Sequence, residues 1–149
     1  MADVYYIENA IPYQIAERTA NSIHVPPIKR EIIRRVFGNY MKYRIVGEFH
    51  THPEGGIGLS EEDKDYMRSN NYQLEIVAAV DRTNSSYPWD YKKGELSGSI
   101  DKYLITLAGC EVQKRKVIKQ TIRCPYAVGF DFSKPFQSPQ QRKRRQVFV

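Results

Sequence analysis

The stretch YRIVGEFHTHPEGGIGLSEED, residues 43–63, decides how the chain folds. Its first ten residues are rich in aromatic and β-branched side chains, which suit a pleated, half-buried surface and predict a strand over 43–52. Pro53, Glu54, Gly55 and Gly56 follow as a turn. Ser60 then stands before Glu61, Glu62 and Asp63. That is the pattern of an N-cap hydroxyl with acids in the first helical turn, where the helix dipole favours negative charge, so a helix is expected over 61–69.

Residues 4–11 on the N-terminal side are rich in aromatic and β-branched residues and stop at Pro12, as a strand does before a residue that lacks a ladder donor. The short apolar run at 22–25 is halted by Pro26 and Pro27, and Pro27 is placed to open a helix. Ile32, Val36 and Tyr40 recur at i+4, as do Ile33, Phe37 and Met41, while Lys29, Arg30, Arg34 and Arg35 fall between, so the helix is amphipathic. On the C-terminal side, 74–80 is a near-continuous apolar run and reads as a buried central strand. A loop at 82–86 precedes further strands near 88–91, 95–100 or 103–107, and 113–123. The expectation is an α/β domain over residues 1–136, a mixed sheet flanked by at least two helices, followed by a basic flexible tail at 137–149.

A chain of 149 residues fits one domain. With 41% hydrophobic and 27% charged residues it has material for a core and no disordered-chain signature. No stretch reaches the roughly 20 apolar residues of a membrane span, and the N-terminus lacks a basic region followed by an apolar one. A cytoplasmic location with no membrane partner is expected. The net charge of +6 is spread along the chain apart from Arg142, Lys143, Arg144 and Arg145, which reads as a solvated helix face plus a tail rather than a nucleic-acid footprint. Cys110 and Cys124 form no Cys-x-x-Cys pair and stand apart from the histidines, so they are not read as metal ligands, and whether they pair is open.

His50 and His52 are two residues apart on the expected strand, and because strand side chains alternate, both imidazoles project to one side. Asp63 follows His52 by eleven positions, across a glycine-rich turn long enough to fold the first helical turn back onto the strand. Neither His-x-His nor Ser-x-x-Asp carries much alone. Together they bring two imidazoles and one carboxylate into reach, the ligand set of catalytic zinc, which keeps a fourth position for water. His24, the third histidine, reads as structural or exposed.

The run His50, Thr51, His52, Pro53, six residues, Ser60, two residues, Asp63 resembles the His-x-His-Pro, Ser-x-x-Asp signature of the JAMM or MPN+ (JAB) metalloproteases, and residues 45–49 resemble the strand that leads into it. The resemblance spans residues 4–123 and implies a single JAB/MPN domain similar to the cytidine deaminase-like fold. It implies one Zn(2+) per chain on His50, His52 and Asp63, and Ser60 as donor to the oxyanion formed when a carbonyl is attacked. It implies hydrolysis of an isopeptide or peptide bond, with ubiquitin-like protein conjugates or peptides as substrates. Specificity is expected in loops such as 54–59 and 82–89.

One part of that pattern has no match. Family members carry an upstream glutamate that takes a proton from water, and Glu8 and Glu17 lack its context. Glu48 shares parity with His50 and His52, so it faces the same side, as a base or as a carboxylate orienting a ligand imidazole. Three expectations follow: a natural protein that starts further upstream, a weak or inactive metal-binding relative, or Glu48 as replacement base. A missing first helix and strand would expose a sheet edge and argue for a protein partner or a homodimer. The alternative function is a catalytically silent binding module built on the same scaffold.

Overall fold

In the computed structural model the described residues are 5–12, 17–18, 23–42, 44–53, 56–70, 74–129 and 146–148. In chain order they form β1 (Ile7–Ala10), β2 (Glu17–Arg18), β3 (Ile23–His24), α1 (Pro27–Arg35), a π-helical turn (Val36–Tyr40), β4 (Arg44–Pro53), α2 (Glu61–Asn70), β5 (Leu74–Arg82), β6 (Asp90–Lys92), β7 (Glu95–Ile100), β8 (Tyr103–Gln113), β9 (Lys116–Gln120), α3 (Pro125–Val128) and β10 (Gln146–Phe148). The fold is α/β, with a mixed sheet flanked by a few helices. No helix among the described residues is long and apolar enough to cross a membrane.

The chain divides into two compact units, Met1–Gly47 with Ser138–Val149, and Glu48–Gln137. In the first, β10 runs parallel to β1 on one side and to the start of β4 on the other, with Val147 opposite Asn9 and Ile45. Gln146–Phe148 is thus strand where a flexible tail is expected from the composition; residues 137–145 of that tail lie outside the described residues. Pro27 opens α1 as expected, and Arg34 and Arg35 in its last turn complement the negative end of the dipole. Of the two apolar rows that run from α1 into the π-helical turn, one is covered in part: Phe37 is buried against Ile11, Ile33 and Ile45, while Met41 at the end of that row is exposed. Ile28, Ile32, Val36 and Tyr40 are exposed.

In the second unit the strands run in the order β4, β5, β8, β7, β6. β5 is antiparallel to β8 over its whole length, with Val77 opposite Ala108. β8 is eleven residues long, and its other side is shared: residues 103–107 pair with β7 and residues 109–113 with β9. Two tight hairpins lie beside this arrangement. Lys93 and Gly94 join β6 to β7, and Lys114 and Arg115 join β8 to β9, all with positive φ, as a two-residue turn matching the twist of its strands demands. Val77, Met67, Leu74, Ala79, Leu96 and Ala108 are buried. The apolar run at 74–80 is the central strand expected of it, with one exception: Glu75, a carboxylate only 4% exposed.

Candidate metal centre

All the candidate site residues lie in the second unit. His50 and His52 project from the same side of β4, with ring centroids 4.8 Å apart and planes inclined by 49°. The glycine-rich segment after β4 returns the chain to α2, and Ser60 caps that helix: its hydroxyl accepts the Asp63 amide N–H at 3.1 Å. The Ser60 amide and hydroxyl in turn donate to Asp63 Oδ2, at 2.8 and 2.6 Å. These three bonds hold the Asp63 carboxylate in the first turn of α2, aimed at the histidines. His50 Nε2 is 3.7 Å from Asp63 Oδ1, His52 Nε2 is 3.7 Å from Asp63 Oδ2, and the two Nε2 atoms are 2.9 Å apart.

The other ring nitrogens fix what these atoms present to each other. His52 Nδ1 faces the Gly56 carbonyl at 3.1 Å, and a carbonyl only accepts, so Nδ1 carries the proton. His50 Nδ1 donates to Glu75 Oε1 at 2.8 Å. In the neutral tautomers that follow, both Nε2 atoms hold lone pairs. Two lone pairs and an anionic oxygen therefore converge, and only a shared proton or a cation satisfies them. Zinc bonds of about 2.0–2.1 Å to nitrogen and oxygen in a tetrahedron separate its ligand atoms by roughly 3.3 Å. The observed 2.9, 3.7 and 3.7 Å bracket that spacing, so the residues present fit one zinc ion. Among the described residues, His50, His52 and Asp63 are the only group of three or more such side chains placed to hold a metal ion.

The electrostatics agree with a cation-seeking site. Burial opposes a charge on His50, but the hydrogen bond to Glu75 and the charges of Glu75, Asp63 and Glu48 outweigh it and raise its pKa above the ordinary imidazole value. Partial burial likewise opposes a charged Asp63, yet the bonds from Ser60 and the nearby imidazoles hold it below the usual carboxylate range. Burial pushes the Glu75 carboxyl up, against the hydrogen bond and charge of His50. Glu75 Oε2 is buried without a hydrogen-bond partner among the described residues.

The structure thus brings His50, His52, Asp63 and Ser60 together. Glu48 lies within electrostatic reach of His50, as its parity requires, and its Oε2 accepts the Tyr66 hydroxyl of α2 at 3.2 Å. The carboxylate on the His50 ring is Glu75, which the sequence reading missed. Its only signal was a lone acid inside an apolar central strand, a place where a charge persists only with a partner. Cys110, on β8, and Cys124, before α3, are free thiols.

No family model, curated protein or solved structure matches this chain. The family resemblance therefore rests on the motif and the strand that precedes it.

Proposed function

We propose that the chain is a zinc-dependent hydrolase of peptide or isopeptide bonds. The observation that carries this reading is the convergence of two lone-pair nitrogens and one carboxylate oxygen, with each imidazole locked by a bond to its far nitrogen. Three protein ligands with one place left for water distinguish a catalytic zinc site from a structural one closed by four. A zinc ion held there supplies a Lewis acid that activates water and polarises a carbonyl.

The chain's own residues supply the rest. Glu75 fixes the tautomer and orientation of His50 and raises its basicity as a ligand. The Gly56 carbonyl does the same for His52. Ser60 spends its hydroxyl proton on Asp63 in this structure; rotating that hydroxyl toward a bound substrate would offer a donor to a developing oxyanion, while its amide keeps Asp63 in place. Glu48, on the same side of β4, is the candidate proton acceptor, with Tyr66 limiting its motion.

The test is turnover by the zinc-loaded chain against a panel of ubiquitin-like conjugates and unmodified peptides, beside Glu48→Gln and Ser60→Ala. Hydrolysis that stops on chelation and returns with zinc supports the reading, and its loss in Glu48→Gln identifies the base. Zinc bound in full with no hydrolysis of any substrate would leave the chain a metal-stabilised binding module.

A further inference from the structure

The basic residues are spread along the chain, but the acids are not. From residue 112 onward there are ten Lys and Arg against one acid, Asp131; before it there are thirteen against sixteen, so all of the net positive charge comes from the last quarter of the sequence. In the second unit this imbalance surfaces along β9 and at two hairpin turns. Lys92 and Lys93 stand at the β6–β7 turn, and Lys114, Arg115 and Lys116 at the β8–β9 turn, all exposed. None of these five side chains has a hydrogen-bond, ion-pair or ring partner among the described residues. Lys119, on β9 between the two groups, is paired with Glu95 and is left out of the count.

The two turns belong to one strip. Ile122, just past β9, donates its amide N–H to the Gly94 carbonyl at 2.9 Å, which brings the turn of Lys92 and Lys93 against the C-terminal end of β9; Lys114, Arg115 and Lys116 open the other end. At about 3.4 Å per residue, Lys116 and Ile122 lie roughly 20 Å apart. Among the described residues β9 pairs with β8 alone, so its outer edge is outside any ladder. A lysine on such an edge keeps other strands off, which accounts for Lys116 and Lys119. It does not account for the turns. Lys93, Lys114 and Arg115 adopt φ of 53°, 49° and 65°, where glycine or asparagine turns the chain at less cost. Cations are kept there beyond what edge protection requires.

Aromatic surface stands at one end of the strip. The exposed Arg123 lays its guanidinium over the Tyr91 ring, 5.0 Å from the centroid, and the Tyr91 hydroxyl is held by the Cys124 amide N–H at 2.6 Å. Tyr126, three residues beyond Arg123 in α3, is 99% exposed. A tyrosine ring left in solvent and a flat guanidinium both offer faces on which nucleobases stack. A peptide of Asp and Glu has carboxylates for the cations and nothing for the ring, so the combination favours phosphates that carry bases.

We infer that β9 and its two flanking turns bind a single-stranded nucleic acid, with phosphates along Lys92, Lys93, Lys114, Arg115 and Lys116 and a base on Tyr126. At about 3.4 Å per stacked nucleotide the strip takes about six. The inference stands apart from the hydrolase reading and uses none of its residues. It is tested by fluorescence anisotropy of the full chain with labelled dodecamers of U and of dT, beside a DNA duplex and a polyglutamate of matched charge. Five phosphate contacts to a single strand predict that Kd rises about 100-fold between roughly 50 and 200 mM salt. Lys93→Asn with Lys114→Asn and Arg115→Gly places Asn-Gly in both turns, so the hairpins are kept and the variant should melt at or above the parent temperature. With three cations gone, its affinity at the lower salt should fall at least tenfold and the salt effect should shrink to about tenfold. Tyr126→Ala should weaken both dodecamers at least fivefold, leaving the salt dependence and polyglutamate binding as they were. A preference between U and dT identifies the sugar and, like equal binding of the two, supports the inference. No binding of either single strand, polyglutamate or duplex held as tightly as they are, or parent affinity in the turn variant would overturn it.

Discussion

Replacing Glu75 should separate two properties that usually fall together, metal affinity and fold stability. Glu75 holds His50 Nδ1 at 2.8 Å from a position only 4% exposed, and its second oxygen has no hydrogen-bond partner among the described residues. Removing a carboxylate that orients a metal-ligating imidazole typically costs 10–100-fold in metal affinity, or about 1.4–2.7 kcal/mol. Glu75→Ala, which frees the ring, should fall toward the upper end of that range. Glu75→Gln keeps an acceptor for Nδ1 but loses the charge, so its loss should be nearer tenfold. The metal-free proteins should order differently. Exchanging a buried carboxylate for an amide removes a desolvation cost, so Glu75→Gln should melt at or above the parent temperature, whereas Glu75→Ala leaves a cavity and melts lower. Zinc affinity is read by competition against a chromophoric chelator and stability by thermal melting of the chelated protein. Unchanged zinc affinity in both variants, with the metal still bound at one per chain, would refute the role given to Glu75.

Three further outcomes follow from the same geometry. Ser60→Ala removes the cap of α2 and should cost about 1 kcal/mol, a fall in melting temperature of roughly 4 °C, with zinc still bound through the imidazoles; an unchanged melt would contradict the capping geometry. A Cβ on Gly98 would overlap the Trp89 indole. Gly98→Ala should therefore destabilise by about 1–3 kcal/mol in denaturant titration, and a neutral result would mean the indole does not pack there. Because the His50 pKa is raised by its acidic neighbours, the metal-free site holds its proton to a higher pH than an ordinary imidazole. Zinc must displace that proton, so affinity should decline as pH falls, beginning above the usual imidazole range. Isothermal titration across roughly pH 6 to 8 checks this, and a flat profile contradicts it.

The part of the fold that carries the site was legible because its signals are local. The two-residue period of a strand puts His50 and His52 on one side, and Ser60 with the acids after it announces the start of α2; both hold in the structure. What was not legible depends on partners distant in sequence. Glu75 meets His50 only through the pairing of two strands, and an apolar pattern hides a single acid. The β8–β9 hairpin turns on Lys114 and Arg115 at φ of 49° and 65°, where neither glycine nor asparagine marks the turn, so the strand expected over 113–123 runs straight across it. Gln146–Phe148 follows a basic, polar segment that reads as tail, and only its pairing with β1 and β4 makes it strand. The two apolar rows that run from α1 into the π-helical turn look equivalent by spacing, yet packing covers Ile33 and Phe37 and leaves Ile32 and Tyr40 in the open.

The most direct test of the metal centre is zinc stoichiometry after exhaustive dialysis, by elemental analysis of the parent chain and of the double variant His50→Ala with His52→Ala. Three converging ligands locked by Ser60, Glu75 and Gly56 predict about one zinc per parent chain and next to none in the double variant, with affinity weakened but not abolished in Asp63→Ala. Equal zinc in the parent and the double variant, or none in a parent chain that is folded and zinc-exposed, would contradict the assignment of His50, His52 and Asp63.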